Sequence, residues 1–386
     1  MNKNTKIIIW GADDSNTLGL LRQLRVYSNE ILTIFQGRRN FVASCSKYCK
    51  KYLFTRDYDN AIQYLLENFS DSLIKPFLIA STDLVAETVD QHLELLSKSF
   101  YIMGTRKSLV LTQILDKFAM GKLAQRVGLF IPSSYIVHKY SDITHIKYPC
   151  LIKPYKNDKI RKKEFKTKVC LNEHELSETL SQVNEKSVFV VQDYIEKEYD
   201  ILIYGCRLYN GQIIMPGHFK KDRWYKQADG SHGYIKNGIP PQVDSTKIAN
   251  FLREIEYYGL FSFEFGVKNE IAYFYEVNLR NDGTSHYFFQ AGINIPYLWV
   301  NQFSEDFNSN MVYGCINEQF IDEINDVSNV GCNLLTKEKW KKQMKEANVF
   351  RYYDRSDKRP YFIQKYVRII KTILSPIKPI LLRFIR

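Results

Sequence analysis

No run of about 18 uninterrupted apolar residues occurs in the 386-residue chain, so no transmembrane helix is expected. No CxxC pair occurs either. The seven cysteines (Cys45, Cys49, Cys150, Cys170, Cys206, Cys315 and Cys332) are scattered, odd in number and without zinc spacing. A reducing cytoplasm is the simplest setting for them. The apolar run after Lys6 is too short for a signal peptide and lacks a small-residue cleavage site. Gly-x-Gly-x-x-Gly is missing from the first strand-to-helix turn. A lone Gly11 with a distant Gly19 reads as a tight turn before it reads as a nucleotide site. Repeats and low-complexity linkers are absent. Acidic residues are missing from Lys358 onward, where eight basic residues stand. The rest of the chain is only mildly basic, so the net charge of +12 does not point to nucleic acid.

What is present suits two or three domains with well-buried cores, at 45% hydrophobic and 14% aromatic residues. Lys6–Trp10 reads as a buried parallel strand. The polar turn Gly11–Gly19 opens a helix through Leu18, Leu20, Leu21 and Leu24. Ile31–Phe35, Tyr52–Phe54 and Phe77–Ala80 read as strands, and Ala61–Phe69 as a helix. Ser81-Thr-Asp83 caps a further helix to about Leu96. Such alternation predicts an open α/β domain over residues 1–105. Leu111–Val127 reads as one helix, ended by Gly128 and Pro132. Tyr148–Pro154 and Ser187–Gln192 read as strands. Ile201–Leu208, Gln212–Met215, Phe261–Phe265 and Ile271–Val277 form an antiparallel-looking set.

The last two of these runs carry the chemistry. Each holds one glutamate among aromatics, and Gly266–Glu270 between them reads as the turn of a β-hairpin. With the turn centred near residue 270, Glu264 faces Glu276 across the ladder. Asn278, two residues on, shares their face. Two carboxylates and an amide oxygen suit Mg²⁺, which takes few protein ligands and fills its shell with water and phosphates. Arg280 follows, a fork-shaped cation suited to phosphate or carboxylate. An edge hairpin with both glutamates in water is the competing reading.

In chain order, Asp116-Lys117, Tyr148-Pro-Cys-Leu-Ile-Lys-Pro154, Gln192-Asp-Tyr-Ile195 and Glu264…Glu276-Val-Asn278-Leu-Arg280 together resemble the ATP-grasp superfamily. More narrowly they resemble its carboxylate–amine ligases of the D-aspartate-ligase and bacterial cell-surface type. The resemblance covers about residues 5–330. It implies a Rossmann-like domain (1–105), a first ATP-grasp subdomain with a lid (106–190) and a second with the metal site (191–335). A basic amphipathic helical extension (336–386) follows. It implies ATP and Mg²⁺ as cofactors, with Mn²⁺ as a substitute. Lys153 then reaches the α/β-phosphates, and Lys117 and Lys168 stand near the nucleotide, with Lys166 competing for the place of Lys168. Backbone groups of Gln192, Asp193, Tyr194 and Ile195 read adenine, and Asp200 or Glu198 accepts the ribose hydroxyls. Glu264, Glu276 and Asn278 hold Mg²⁺. Arg280 steadies the transferred phosphoryl group. Lys221 and Arg223, in the basic segment Lys220–Arg223, serve the γ-phosphate and substrate, and the Asp282–Ser285 turn lines the same pocket.

One departure stands out. The family's lid is rich in glycine, whereas Tyr155–Thr167 has none and carries six cations (Lys156, Lys159, Arg161, Lys162, Lys163 and Lys166). The implied activity is amide formation between a carboxylate and an amine through an acyl phosphate, on a cell-envelope or surface-polysaccharide precursor. The alternative is a degenerate ATP-grasp protein acting as a membrane-associated sensor or assembly factor. Tyr361–Leu374 is amphipathic, with Lys365, Arg368 and Lys371 on one face. Ser375-Pro376 interrupts it, and Ile377–Arg386 repeats the theme. Residues 357–386 therefore read as an anchor for an anionic membrane surface on the cytoplasmic side, or as a helix packed on the body. A homodimer is left open, and the acid and amine have no sequence code.

Overall fold

The computed structural model describes residues 5–155, 165, 167–225, 229–308, 317–330 and 335–374. The lid lysines and arginine at 156, 159, 161–163 and 166, and the segment 375–386, lie outside the described residues.

Three sheets organise the chain. The first is wholly parallel: β1 (Ile7–Gly11), β2 (Ile31–Gln36), β3 (Lys51–Thr55), β4 (Phe77–Ala80) and β5 (Tyr101–Ile102), in the order β3-β2-β1-β4-β5. Its central strands are apolar because helices connect them and both faces are covered. The second sheet is antiparallel: β6 (Ser134–Val137), β7 (Cys150–Pro154), β8 (Lys168–Cys170) and β9 (Phe189–Asp193), ordered β6-β9-β7-β8. It buries Ile152, Cys170, Phe189 and Val191 in a core of its own against Leu176 and Leu180. The third has seven strands: β10 (Tyr199–Arg207), β11 (Ile213–Tyr225), β12 (Asp229–Asn237), β13 (Gly259–Lys268), β14 (Ile271–Asn278), β15 (Asn317–Ile321) and β16 (Val349–Phe350), ordered β14-β13-β10-β11-β12-β15-β16. It shares one continuous core with the first sheet.

Several expected elements are refined. Leu111–Val127 is two helices, Val110–Ile114 and Lys117–Arg126. Asp116 separates them, because its carboxylate accepts from the backbone N–H groups of Phe118 and Ala119 and so starts a new helix. Gly128, in the left-handed region at φ 84°, ends the second. Lys220–Arg223 is part of β11.

The segment after β16 crosses to the helix that follows β1. There Asp357 meets the wholly buried Arg22 of the first helix (3.1 Å to Nε) and also accepts from Ser46 Oγ and Lys47 N. Arg22 further donates to the carbonyls of Tyr352 and Asp357. A last helix, Arg359–Leu374, follows. Among the described residues no helix is long and apolar enough to cross a membrane.

Candidate functional site

The β13–β14 hairpin turns through Asn269 and Glu270, both at positive φ as a two-residue primed turn requires. That centre alone would oppose Glu264 to Tyr275. A β-bulge at Tyr275 adds one residue to β14, so the observed register opposes Glu264 to Glu276 and Ser262 to Asn278. The glutamates are paired as the alternation suggested, but the bulge is what pairs them. Gly266 makes room for it, since a Cβ there would lie 2.2 Å from the Tyr275 hydroxyl.

Neighbouring strands add to the same face. Asp200 of β10 opposes Lys221 of β11. Lys221 is buried, and its ammonium lies 3.1 Å from Glu264. Burial raises the Glu264 carboxyl to about 7; Lys221 opposes the rise, and Glu276 and Asp282 add to it. Asn278 donates to Ser262 and Asp282, and its Oδ1 accepts from Arg280 at 3.0 Å. Arg280 reaches across to the helix that follows β4, donating to Asp83 at 2.7 and 3.3 Å. Asp282 closes the cluster, 3.7 Å from Arg280 and accepting from Thr284. Among the described residues no three His, Cys, Asp or Glu side chains form a metal-binding group. A crowded carboxylate set with one raised carboxyl is still a chemical fit for a hard divalent cation, with Glu264, Glu276 and Asn278 Oδ1 as oxygen donors.

A cavity of about 340 Å³ opens between the second and third sheets, lined by Lys117, Lys153, Gln192, Tyr135, Phe274 and Tyr275 among others. Lys153 donates to Gln192 Oε1 at 3.1 Å. Burial, with Lys117 nearby, lowers its ammonium to about 8. Such a group gains from an anion that restores its proton. Asp200 accepts from Lys197 (2.7 Å) and Trp224 (2.5 Å), while its Oδ1 is buried without a hydrogen-bond partner. An orphaned buried acceptor of this kind suits a ligand hydroxyl.

Other expected residues sit elsewhere. Lys168 opposes Ile152, so it points to the face opposite Lys153, where its ammonium meets Thr179. Arg223 follows an irregularity in β11 and turns away to a two-toothed pair with buried Asp326 (2.8 and 2.7 Å) and to Gln343. The N–H groups of Asp193 and Tyr194 are held by the carbonyls of Ser133 and Pro149, and the Ile195 carbonyl by Lys197 N. Glu198 accepts from Asn269 N at the hairpin turn. Asp83, Asn16 and Asn281 join the cluster unforeseen. Asn16 donates to the carbonyls of Ser81 and Asn281, stitching the helix that follows β1 to the Arg280 turn. The Asp83–Arg280 and Asn16–Asn281 contacts span 197 and 265 residues, and local pattern carries no signal of them.

No family model matches the sequence, and no curated protein matches it. Solved structures do match in fold. N5-carboxyaminoimidazole ribonucleotide synthetase from Thermus thermophilus superposes with a TM-score of 0.61 at 13% identity, covering 81% of each chain. N5-carboxyaminoimidazole synthetase from Staphylococcus aureus complexed with ADP gives 0.61 at 14%, covering 83% of this chain and 82% of that one. L-amino acid ligase from Bacillus licheniformis gives 0.59 at 12%, covering 80% and 76%.

Proposed function

We propose, on the premise that this chain has the ATP-grasp fold of these structural neighbours, that it is an ATP-dependent ligase joining a carboxylate to an amine. The observation that carries the proposal is the shared face of Glu264, Glu276, Asn278 and Lys221 beside the cavity that holds Lys153. In this reading ATP lies between segments 106–190 and 191–335. The substrate carboxylate attacks the γ-phosphorus, the bond to ADP breaks, and an acyl phosphate forms. The amine then attacks the acyl carbon and phosphate leaves. Lys153 and Lys117 offset the phosphate charge, and Asp200 Oδ1 accepts a ribose hydroxyl. Arg280, fixed by Asp83, steadies the transferred group. Mg²⁺, held by Glu264, Glu276 and Asn278, supplies charge neutralisation at the phosphates when bound. Lys221 orients Glu264 and shields it from its carboxylate neighbours.

We place the enzyme in the cytoplasm, attached through its C-terminal helix to the inner membrane face, where a cell-envelope precursor would supply the acid or the amine. A nucleotide sensor of the same fold is the second reading. It is favoured by the ion pair and the Arg280 contact that already occupy Glu264 and Asn278. Calorimetric titration with a non-hydrolysable ATP analogue and Mg²⁺ tests the nucleotide site. Mg²⁺-dependent binding weakened about 10²-fold or more by Glu276→Gln is expected. Absence of binding by folded wild type overturns the site. Binding by wild type without ADP release across a panel of acids and amines favours the sensor.

A further inference from the structure

One face of the second sheet carries a diagonal of three polar side chains. Ser134 of β6 directly opposes Gln192 of β9. Val190, two residues before Gln192, opposes Lys153 of β7. Side chains share a face at every second residue of a strand and across a directly opposed pair, so Ser134, Gln192 and Lys153 stand together. The other face sends Cys150, Ile152, Phe189 and Val191 into the small core. All three polar residues line the cavity between the second and third sheets.

Hydrogen bonds run along this diagonal in one direction. Lys153 Nζ donates to Gln192 Oε1 at 3.1 Å, and Gln192 Nε2 donates to Ser134 Oγ at 3.2 Å. Ser134 Oγ in turn donates to the Pro132 carbonyl at 3.0 Å. A hydroxyl has one proton to give. Ser134 spends it on Pro132 and so accepts from Gln192, which fixes the amide with its oxygen toward the lysine. The ammonium held there has little else to keep it in place. A lysine carries its charge on a flexible stem. Lys117 and Lys122 also line the cavity, and among the described residues no acid does. Lys117 repels the Lys153 ammonium and Glu276 attracts it, the first more strongly. Among the described residues no second hydrogen-bond acceptor meets it. Because the amide is neutral, it holds the ammonium without offsetting its charge, which stays available to an anion. A glutamate in the same place would spend that charge on an internal ion pair.

Building on the nucleotide reading of this cavity, we infer that Gln192, oriented by Ser134, is a positioning residue that presents the Lys153 ammonium to the phosphates. Its side chain acts through Lys153 and touches no ligand itself. A lysine ordered beforehand spares the cost of ordering it on binding, about threefold to tenfold in affinity for one long side chain.

Calorimetric titration of the full chain with the non-hydrolysable ATP analogue and Mg²⁺ tests this as a double-mutant cycle of Gln192→Met and Lys153→Met. Gln192→Met should weaken binding about threefold to tenfold. In the Lys153→Met background the same substitution should change nothing, because the group it positions is gone. Ser134→Ala, which frees the amide to turn, should give a smaller loss, again only where Lys153 is present. Equal losses from Gln192→Met in both backgrounds mean that the side chain meets the ligand or merely shapes the wall, and overturn the positioning role. Wild-type affinity in folded Gln192→Met overturns it as well. A second measurement needs no ligand: labelling of Lys153 by acetic anhydride, read by mass spectrometry against the exposed Lys342. An ammonium that loses its acceptor gives up its proton more readily, so Gln192→Met and Ser134→Ala should each speed the labelling. Unchanged labelling in both variants overturns the relay. Wild type that binds no analogue, with labelling that responds as expected, overturns the nucleotide reading while leaving the hold of Gln192 on Lys153 standing.

Discussion

Replacing Glu264 by Gln should make the protein more stable as pH rises, at the expense of the chemistry proposed for it. Burial raises this carboxyl from its ordinary 4.5 to about 7, with Lys221 opposing the rise and Glu276 and Asp282 adding to it. An unfolded chain ionises the same group near 4.5. Between the two values the folded protein therefore binds more protons than the unfolded one, and stability falls as pH rises. The interval from 4.5 to about 7 corresponds to about 3 kcal/mol. The Lys221 contact is already contained in that value. Glutamine cannot ionise, so the variant escapes the loss. Measured against wild type, Glu264→Gln should gain about 3 kcal/mol between about pH 4 and pH 8, or about 4 °C of thermal midpoint for a chain of 386 residues. Differential scanning fluorimetry without nucleotide, at several pH values across that range, reads it directly. Parallel pH curves for the two proteins would refute the electrostatic picture of the site. The same variant should lose Mg²⁺-dependent nucleotide binding.

Two more outcomes are expected. Lys153 sits at about 8 against an ordinary 10.5, so binding of ATP phosphates should draw a proton onto it between those values and weaken as pH rises above 8. Calorimetry at about pH 9 in buffers of different ionisation enthalpy should record uptake by wild type and none by Lys153→Met; equal uptake by both would remove Lys153 from the phosphate site. Asp357→Ala leaves Arg22 buried without its partner and should cost about 3–5 kcal/mol in urea denaturation. The double variant Arg22→Met/Asp357→Leu should recover only part of that loss, because the Ser46 hydroxyl, the Lys47 N–H and the Tyr352 carbonyl lose their partners with the pair, and a cost below about 1 kcal/mol for Asp357→Ala would contradict the pairing.

The sequence was most legible where a local period coincided with chemistry. Alternation in Phe261–Phe265 and Tyr273–Val277 led to the glutamate pair, because side-chain direction in a strand has period two. The bulge at Tyr275 was not legible: it depends on Gly266 accepting a ring from the neighbouring strand. The direction of Lys168, towards Thr179, was not legible because a strand start does not say which face the strand offers. The pairing of Arg223 was not legible because a charge run does not reveal a buried acid, Asp326, that lies 103 residues away. Asp116 was visible as a polar residue inside a helical run. Its power to split the run comes from two backbone N–H groups that a periodicity count ignores. Basic character at the C-terminus was plain, whereas the direction its apolar residues face depends on what the helix packs against.

The Arg22–Asp357 pair also sets a timetable for synthesis. Its partners are 335 residues apart, so at 5–20 residues per second about 17–67 s separate their emergence from the ribosome. Throughout that interval the first helix carries a guanidinium whose native environment excludes water and whose counter-ion does not yet exist. The parallel sheet can form its strands early, but it cannot seal around Arg22 until the far segment arrives. Synthesis that stalls short of residue 357 releases a chain with an open seam beside its earliest sheet, the kind of exposed surface that chaperones and proteases recognise.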